Sequence, residues 1–194
     1  MFERLQHLVK QQMATHFPVV TFLKNHAWPN PDPGHLQVKL PPSINSGRWA
    51  REFLELRIRH SPDLSTVATV PAVVPTEVCG EVAHIGCWSF NGVEQVAMTD
   101  FWVLVLGDIA QPLHFVLLPL LELGYLLRQS TVAGQLYLYF TQAGRCFAST
   151  AGLADLASQQ TTCRPPLRSS VRELTHYLNA WQQLEPEECS GEDY

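Results

Sequence analysis

Between His60 and Leu127 the chain has no lysine and no arginine, and nowhere does it carry an unbroken apolar run of membrane-spanning length. Its most apolar stretch, Phe101–Leu127, is interrupted by Asp108, Gln111, Pro112, His114, Pro119 and Glu122. A transmembrane helix needs roughly twenty mostly apolar residues, so no membrane partner is expected. The opening segment Met1–Met13 lacks the continuous apolar region of a signal peptide, because Glu3, Arg4, Gln6, His7 and Lys10 break it. A cytoplasmic protein is the expectation. There is no CxxC pair, and five cysteines at irregular spacing (Cys79, Cys87, Cys146, Cys163, Cys189) read as reduced packing thiols. GxSxG, a Walker A loop, a strand–helix GxGxxG unit and HExxH are all missing. That removes the commonest hydrolase, nucleotide-binding and metalloprotease readings.

What remains is a chain of 194 residues, 46% hydrophobic and 16% charged. A domain of this size buries roughly 70% of its unfolded surface and folds without a metal or disulfide staple. The formal net charge of −5 is concentrated at one end. Glu185–Tyr194 holds five of the eighteen acids and no Lys or Arg, which leaves thirteen acids against thirteen basic residues in the body. Residues 1–184 are therefore read as one domain, and 185–194 as a solvated, disordered tail. Within the body, Lys39, Arg48, Arg51, Arg57 and Arg59 form a basic segment, directly ahead of the stretch that has acids only. Either the two segments pair in the fold or the basic one makes an anion-binding patch.

The pattern along the chain predicts α+β architecture, with helices at both ends and a central mixed sheet between. Phe2, Leu5, Leu8, Val9 and Met13 share a helical face. Pro18–Leu23 follows as a short buried strand, and the turn formers Trp28–Gly34 lead into His35–Leu40, where Leu36, Val38 and Leu40 alternate with Gln37 and Lys39. These two strands form a hairpin. A helical turn at 47–52 runs into a strand at Phe53–Arg59. Strands follow at Val67–Val70 and Glu81–Phe90, the latter meeting Asn91–Gly92, a hairpin signal, before a long apolar strand Glu94–Leu106. His114–Leu118 is another strand, and Pro119 starts a helix reaching Gln129. Gln135–Phe140 and Arg145–Ser149 flank an Ala143–Gly144 turn, and a short helix is expected at Leu153–Ala157. Ser170-Val171-Arg172-Glu173 has the form of a capping box, predicting a closing helix over Ser170–Gln183 that docks through Leu174, Leu178 and Trp181.

His35–Leu40, the strand from Thr99 to Leu106 with the following His114–Leu123, and Leu174–Leu184 together resemble the PD-(D/E)XK restriction-endonuclease-like superfamily. The resemblance covers about a third of the chain. It implies metal-dependent hydrolysis of nucleic-acid phosphodiesters, with Gln37-Val38-Lys39 standing at the acid-x-lysine motif. Lys39, Gln37 and Asp32 would be catalytic, and Asp32, Gln37 and Asp100 would hold Mg²⁺ through hard oxygen donors. Residues two apart on a strand project from one face, as Gln37 and Lys39 would have to. Arg48, Arg51, Arg57 and Arg59 would bind the nucleic-acid backbone. Two departures stand out: Asp32 sits in the Pro-rich turn only five residues before Gln37, and Gln37 replaces the usual acid. A degenerate, non-cleaving relative is thus the companion reading. A protein-interaction module, using an exposed sheet edge or a Trp/Arg surface, is the alternative.

Other groupings carry less. Cys79, His84 and Cys87 are a zinc-ligand set by residue type, yet on an alternating strand His84 and Cys87 point to opposite faces. Trp28, Trp49 and Trp88 are either core or recognition residues.

Overall fold

A computed structural model describes residues 2–23, 34–39, 53–61, 77–78, 81–91, 99–107, 112–129, 135–141, 143–149 and 171–184. The features expected at 47–52, 67–70 and 153–157, and the tail from 185, lie outside them.

Helix α1 (Phe2–His16) buries Leu5, Val9 and Met13, spaced four apart, with Phe17 just beyond its end. The hairpin of β1 (Thr21–Phe22) and β2 (His35–Lys39) is antiparallel, pairing Thr21 with Lys39 and Phe22 with Val38. The first of these strands is shorter and wetter than a buried Pro18–Leu23 strand: Val19 is 69% exposed. Among the described residues it is the end strand of the sheet.

Strand β3 (Phe53–Ser61) pairs antiparallel with β2 and parallel with β6 (Phe101–Gly107). Strand β7 (Pro112–Pro119) then folds back antiparallel on β6, giving a mixed sheet ordered β1-β2-β3-β6-β7. Parallel neighbours cannot be joined by a tight turn. Here the chain between β3 and β6 supplies β4 (Glu77–Val78) and β5 (Glu81–Asn91), which belong to a second sheet. Helix α2 (Leu120–Gln129) follows β7, and β8 (Gln135–Thr141), β9 (Cys146–Ser149) and β10 (Val171–Glu173) complete that sheet in the order β10-β9-β8-β5-β4, antiparallel throughout. Gly144, at φ +79°, makes the β8–β9 turn, as the Ala143–Gly144 pair predicts.

Strands β5 and β6 lie in different sheets and do not pair with each other, and residues 92–98 between them lie outside the described residues. Trp88 and Phe90 carry β5 into the apolar layer between the sheets, where Leu136, Leu138 and Phe140 of β8 meet them.

The first sheet is buried unevenly. On one face, Leu36, Val38, Leu56, Ile58, Val103, Val105, Phe115 and Leu117 pack under α1. On the other, Trp102, Leu104, Leu106, Val116 and Leu118 meet the second sheet and α2. Strands β6 and β7 are therefore covered on both sides, which accounts for their continuous apolar runs. The second face of β2 and β3 carries polar residues instead. Cys146 lies in the inter-sheet core, where burial pushes its thiol up to about 12, so it packs as an apolar group.

The closing helix is absent. Val171–Glu173 forms β10 on β9, and two 3-10 turns follow, Thr175–Tyr177 and Trp181–Leu184. The contacts expected of that helix are partly kept: Leu174 and Trp181 are buried and Leu178 is half-buried. The segment passes from the inter-sheet core at Leu174, around the edge of β7, to the α1 core at Trp181 and Leu184. An edge-wrapping path and a helix both place apolar residues at such intervals. Tertiary partners decide for the former: Glu173 pairs with Arg145, Arg172 pairs with Glu122, and the open edge of β9 takes Val171–Glu173.

Trp181 packs on Phe115, ring centroids 5.3 Å apart, and stacks with His16. Trp181→Ala is expected to cost about 3–5 kcal/mol in urea unfolding, as a buried large-to-small change. Hydrogen bonds from Arg145 and then Thr175 hold the Glu173 carboxyl down to about 2 from 4.5. Its stabilisation is thus present above pH 4.5 and lost as pH falls towards 2. Arg145→Gln should return the Glu173 titration, followed by carboxyl NMR, towards the ordinary range.

Candidate functional site

Alternation on β2 and β3 sets one polar face. Leu36 and Val38 point into the α1 core, so His35, Gln37 and Lys39 point the other way, half-buried. Leu56 and Ile58 likewise turn Glu55, Arg57 and Arg59 onto that same face. The register sets Gln37 opposite Glu55 and His35 opposite Arg57. Both backbone groups of Glu55 bond towards Asp100 and not towards β2: its carbonyl accepts from Asp100 N–H at 2.8 Å, and its N–H donates to Asp100 Oδ2 at 2.9 Å. Gln37 and Glu55 are therefore a non-hydrogen-bonded pair, the kind whose side chains lie closest.

The side chains use that closeness. Gln37 Nε2 donates to Glu55 Oε1 at 2.6 Å, and His35 Nε2 lies 2.5 Å from Glu55 Oε2. Both carboxylate oxygens of Glu55 are thus engaged, and the His35 and Glu55 side chains are each only 14% exposed. Gln6 of α1 donates to the carbonyl of His35 at 3.0 Å, tying the helix to this strand. Lys39 Nζ stands 5.6 Å from the centre of the Phe53 ring, and the Arg59 guanidinium lies over Trp102 at 5.2 Å. One acid, one histidine and three cations share a half-buried sheet face.

Of the residues marked out in the sequence, Gln37, Lys39, Arg57 and Arg59 come together here. Asp100 adjoins them through the backbone of Glu55, but its carboxylate extends the ladder between β3 and β6, and its carbonyl accepts from Leu120 N–H at the start of α2. Asp32, Arg48 and Arg51 lie outside the described residues, as do Cys79, Trp28, Trp49 and the side chains of His84 and Cys87. Trp88 is core. Glu55 and His35 are the additions, and the alternation of Leu54, Leu56 and Ile58 already assigned Glu55 a face.

For Mg²⁺ the donor set matters. Glu55 gives both oxygens to nitrogen donors, Gln37 turns its amide N–H towards Glu55, and Asp100 holds a backbone amide. Among the described residues no group of three or more His, Cys, Asp or Glu is placed to hold a metal ion.

Comparison with protein-family models, with characterised proteins and with solved structures gave no match. No described helix is long and apolar enough to cross a membrane.

Glu55→Ala would leave the half-buried Gln37 amide and His35 ring without their acceptor. A loss of about 1–3 kcal/mol is expected, as for other orphaned polar groups. Asp100→Ala should cost a similar amount by orphaning Glu55 N–H, and urea unfolding of the two variants checks both values.

Proposed function

We propose that the chain is a restriction-endonuclease-like domain that binds nucleic acid without cleaving it. The observation that carries the reading is the shared face of Gln37, Lys39, Glu55, Arg57 and Arg59 on β2 and β3. Cations aligned along a sheet attract a phosphate backbone, and binding of that kind releases counterions. The engagement of both Glu55 oxygens and of Asp100 favours the non-cleaving form over Mg²⁺-dependent hydrolysis.

A protein partner is the second reading, favoured by Leu121, 86% exposed, and Tyr125, 42% exposed, one turn apart on α2 beside Arg172. Of the surfaces that reading names, Trp88 and the β7 edge are covered, while Trp28 and Trp49 lie outside the described residues. Trp88 and Trp102 are buried, and Asn179 bonds both backbone groups of Phe115 at the β7 edge.

Anisotropy titrations of labelled single- and double-stranded DNA and RNA, at stepped salt, test the proposal. Binding should weaken steeply with salt, and Lys39→Gln should lower the log–log salt slope by about 1, one phosphate contact's worth. Cleavage with Mg²⁺ or Mn²⁺ that Lys39→Ala abolishes would restore the hydrolytic reading. No binding to any of the four would leave the protein-partner reading.

A further inference from the structure

Asn179 holds the edge of β7 by three bonds. Its backbone N–H donates to the carbonyl of Phe115 at 2.7 Å, its side-chain Oδ1 accepts from Phe115 N–H at 2.9 Å, and its Nδ2 lies 3.1 Å from His114 Nδ1. It adopts the left-handed conformation at φ 52°, which asparagine tolerates better than most residues. A backbone N–H can only donate, so the amide oxygen must face Phe115 and the amide NH₂ must face His114. His114 Nδ1 is then the acceptor, and the ring is neutral with its proton on Nε2. The ring also stacks on Phe140, centroids 4.7 Å apart and planes within 7°.

We propose that Asn179 and His114 form an acid-sensitive latch, which holds the segment from Leu178 to Leu184 over the β7 edge when His114 is neutral and releases it when His114 takes up a proton. Protonation puts an N–H on Nδ1, facing the amide NH₂. Turning the amide around does not help, because NH₂ would then face Phe115 N–H. One donor–donor contact is unavoidable in either orientation. Burial lowers the pKa of His114 from 6.5, the direction a ring held neutral by its site requires. A group depressed in the closed state contributes stability that is complete above pH 6.5 and declines as pH falls below it.

Neither Phe140, on which the His114 ring stacks, nor Asn179 titrates. Three other histidines lie on neighbouring elements. His16 of α1 stacks on Trp181, His176 packs on Tyr177, and His60 of β3 bonds the carbonyl of Gly107 from the opposite face of the sheet. Glu173, the nearest acid on the segment, is paired with Arg145 and titrates near 2, well below the window. Tryptophan fluorescence would also report on His16, which stacks on Trp181, so the Phe115 amide is the cleaner reporter.

The test is hydrogen exchange of the Phe115 amide in the full chain between pH 7.5 and 5, expressed as protection relative to the intrinsic rate, with His114 titrated by NMR on the same sample. Protection should fall several-fold below pH 6.5 and level off once His114 is fully protonated. His114→Gln, whose amide oxygen can accept from Asn179, should keep protection flat with pH. The double variant His16→Gln/His176→Gln should behave as wild type. Should His114→Gln prove unfolded, the wild-type comparison decides: a midpoint of lost protection that does not track the His114 titration overturns the latch. An unchanged Phe115 protection factor across the window also overturns it.

Discussion

Burying a strand on both faces removes water as a partner for its backbone and leaves neighbouring strands as its main hydrogen-bonding recourse. Strands β6 and β7 are in that position, and much else follows from it. β6 takes β3 on one side and β7 on the other. β7, left with an open side, is closed by a segment from the far end of the chain, through the Val116–Leu178 bridge and the bonds of Asn179. The second sheet and α1 exist, in energetic terms, to dry the two sides of this pair. On the face of β2 and β3 turned away from α1, the residues change from aliphatic to ionic, and the candidate site begins.

The parallel junction of β3 with β6 is the point where the site and the scaffold share atoms. Asp100 holds Glu55 by backbone and by side chain while its own carbonyl receives the first amide of α2. Glu55 in turn gathers Gln37 and His35. The polar face is fixed from beneath by the ladder and from the side by Gln6. Its geometry is therefore not free to adapt without disturbing the sheet.

Much of the fold was legible because period-two alternation and turn formers survive in the finished structure: β2, β3, β7, β8, β9 and α2 fall close to where the pattern puts them, while β6 starts at Phe101 and not at Glu94. What could not be read was pairing. Asn91–Gly92 marks a turn, but nothing local shows that Trp88 and Phe90 belong to another sheet. The Ser170–Glu173 pattern satisfied a capping box, yet Arg145 and Glu122, 28 and 50 residues away in sequence from their partners, claim Glu173 and Arg172. The site was half legible for the same reason. Gln37 and Lys39 needed only the strand's own alternation, whereas Glu55 and His35 emerge as partners only once the β2–β3 register is known. Asp100, conspicuous as an acid near the apolar strand, turned out to be occupied by the backbone.

The wrapped segment also has a consequence for how the protein is made. Residues 171–184 cover surfaces built from strands and a helix that leave the ribosome well before them. Until the last of these residues emerges, the nascent chain carries a bare β7 edge and two half-covered apolar layers. A truncation before Trp181 would leave those surfaces uncovered for good.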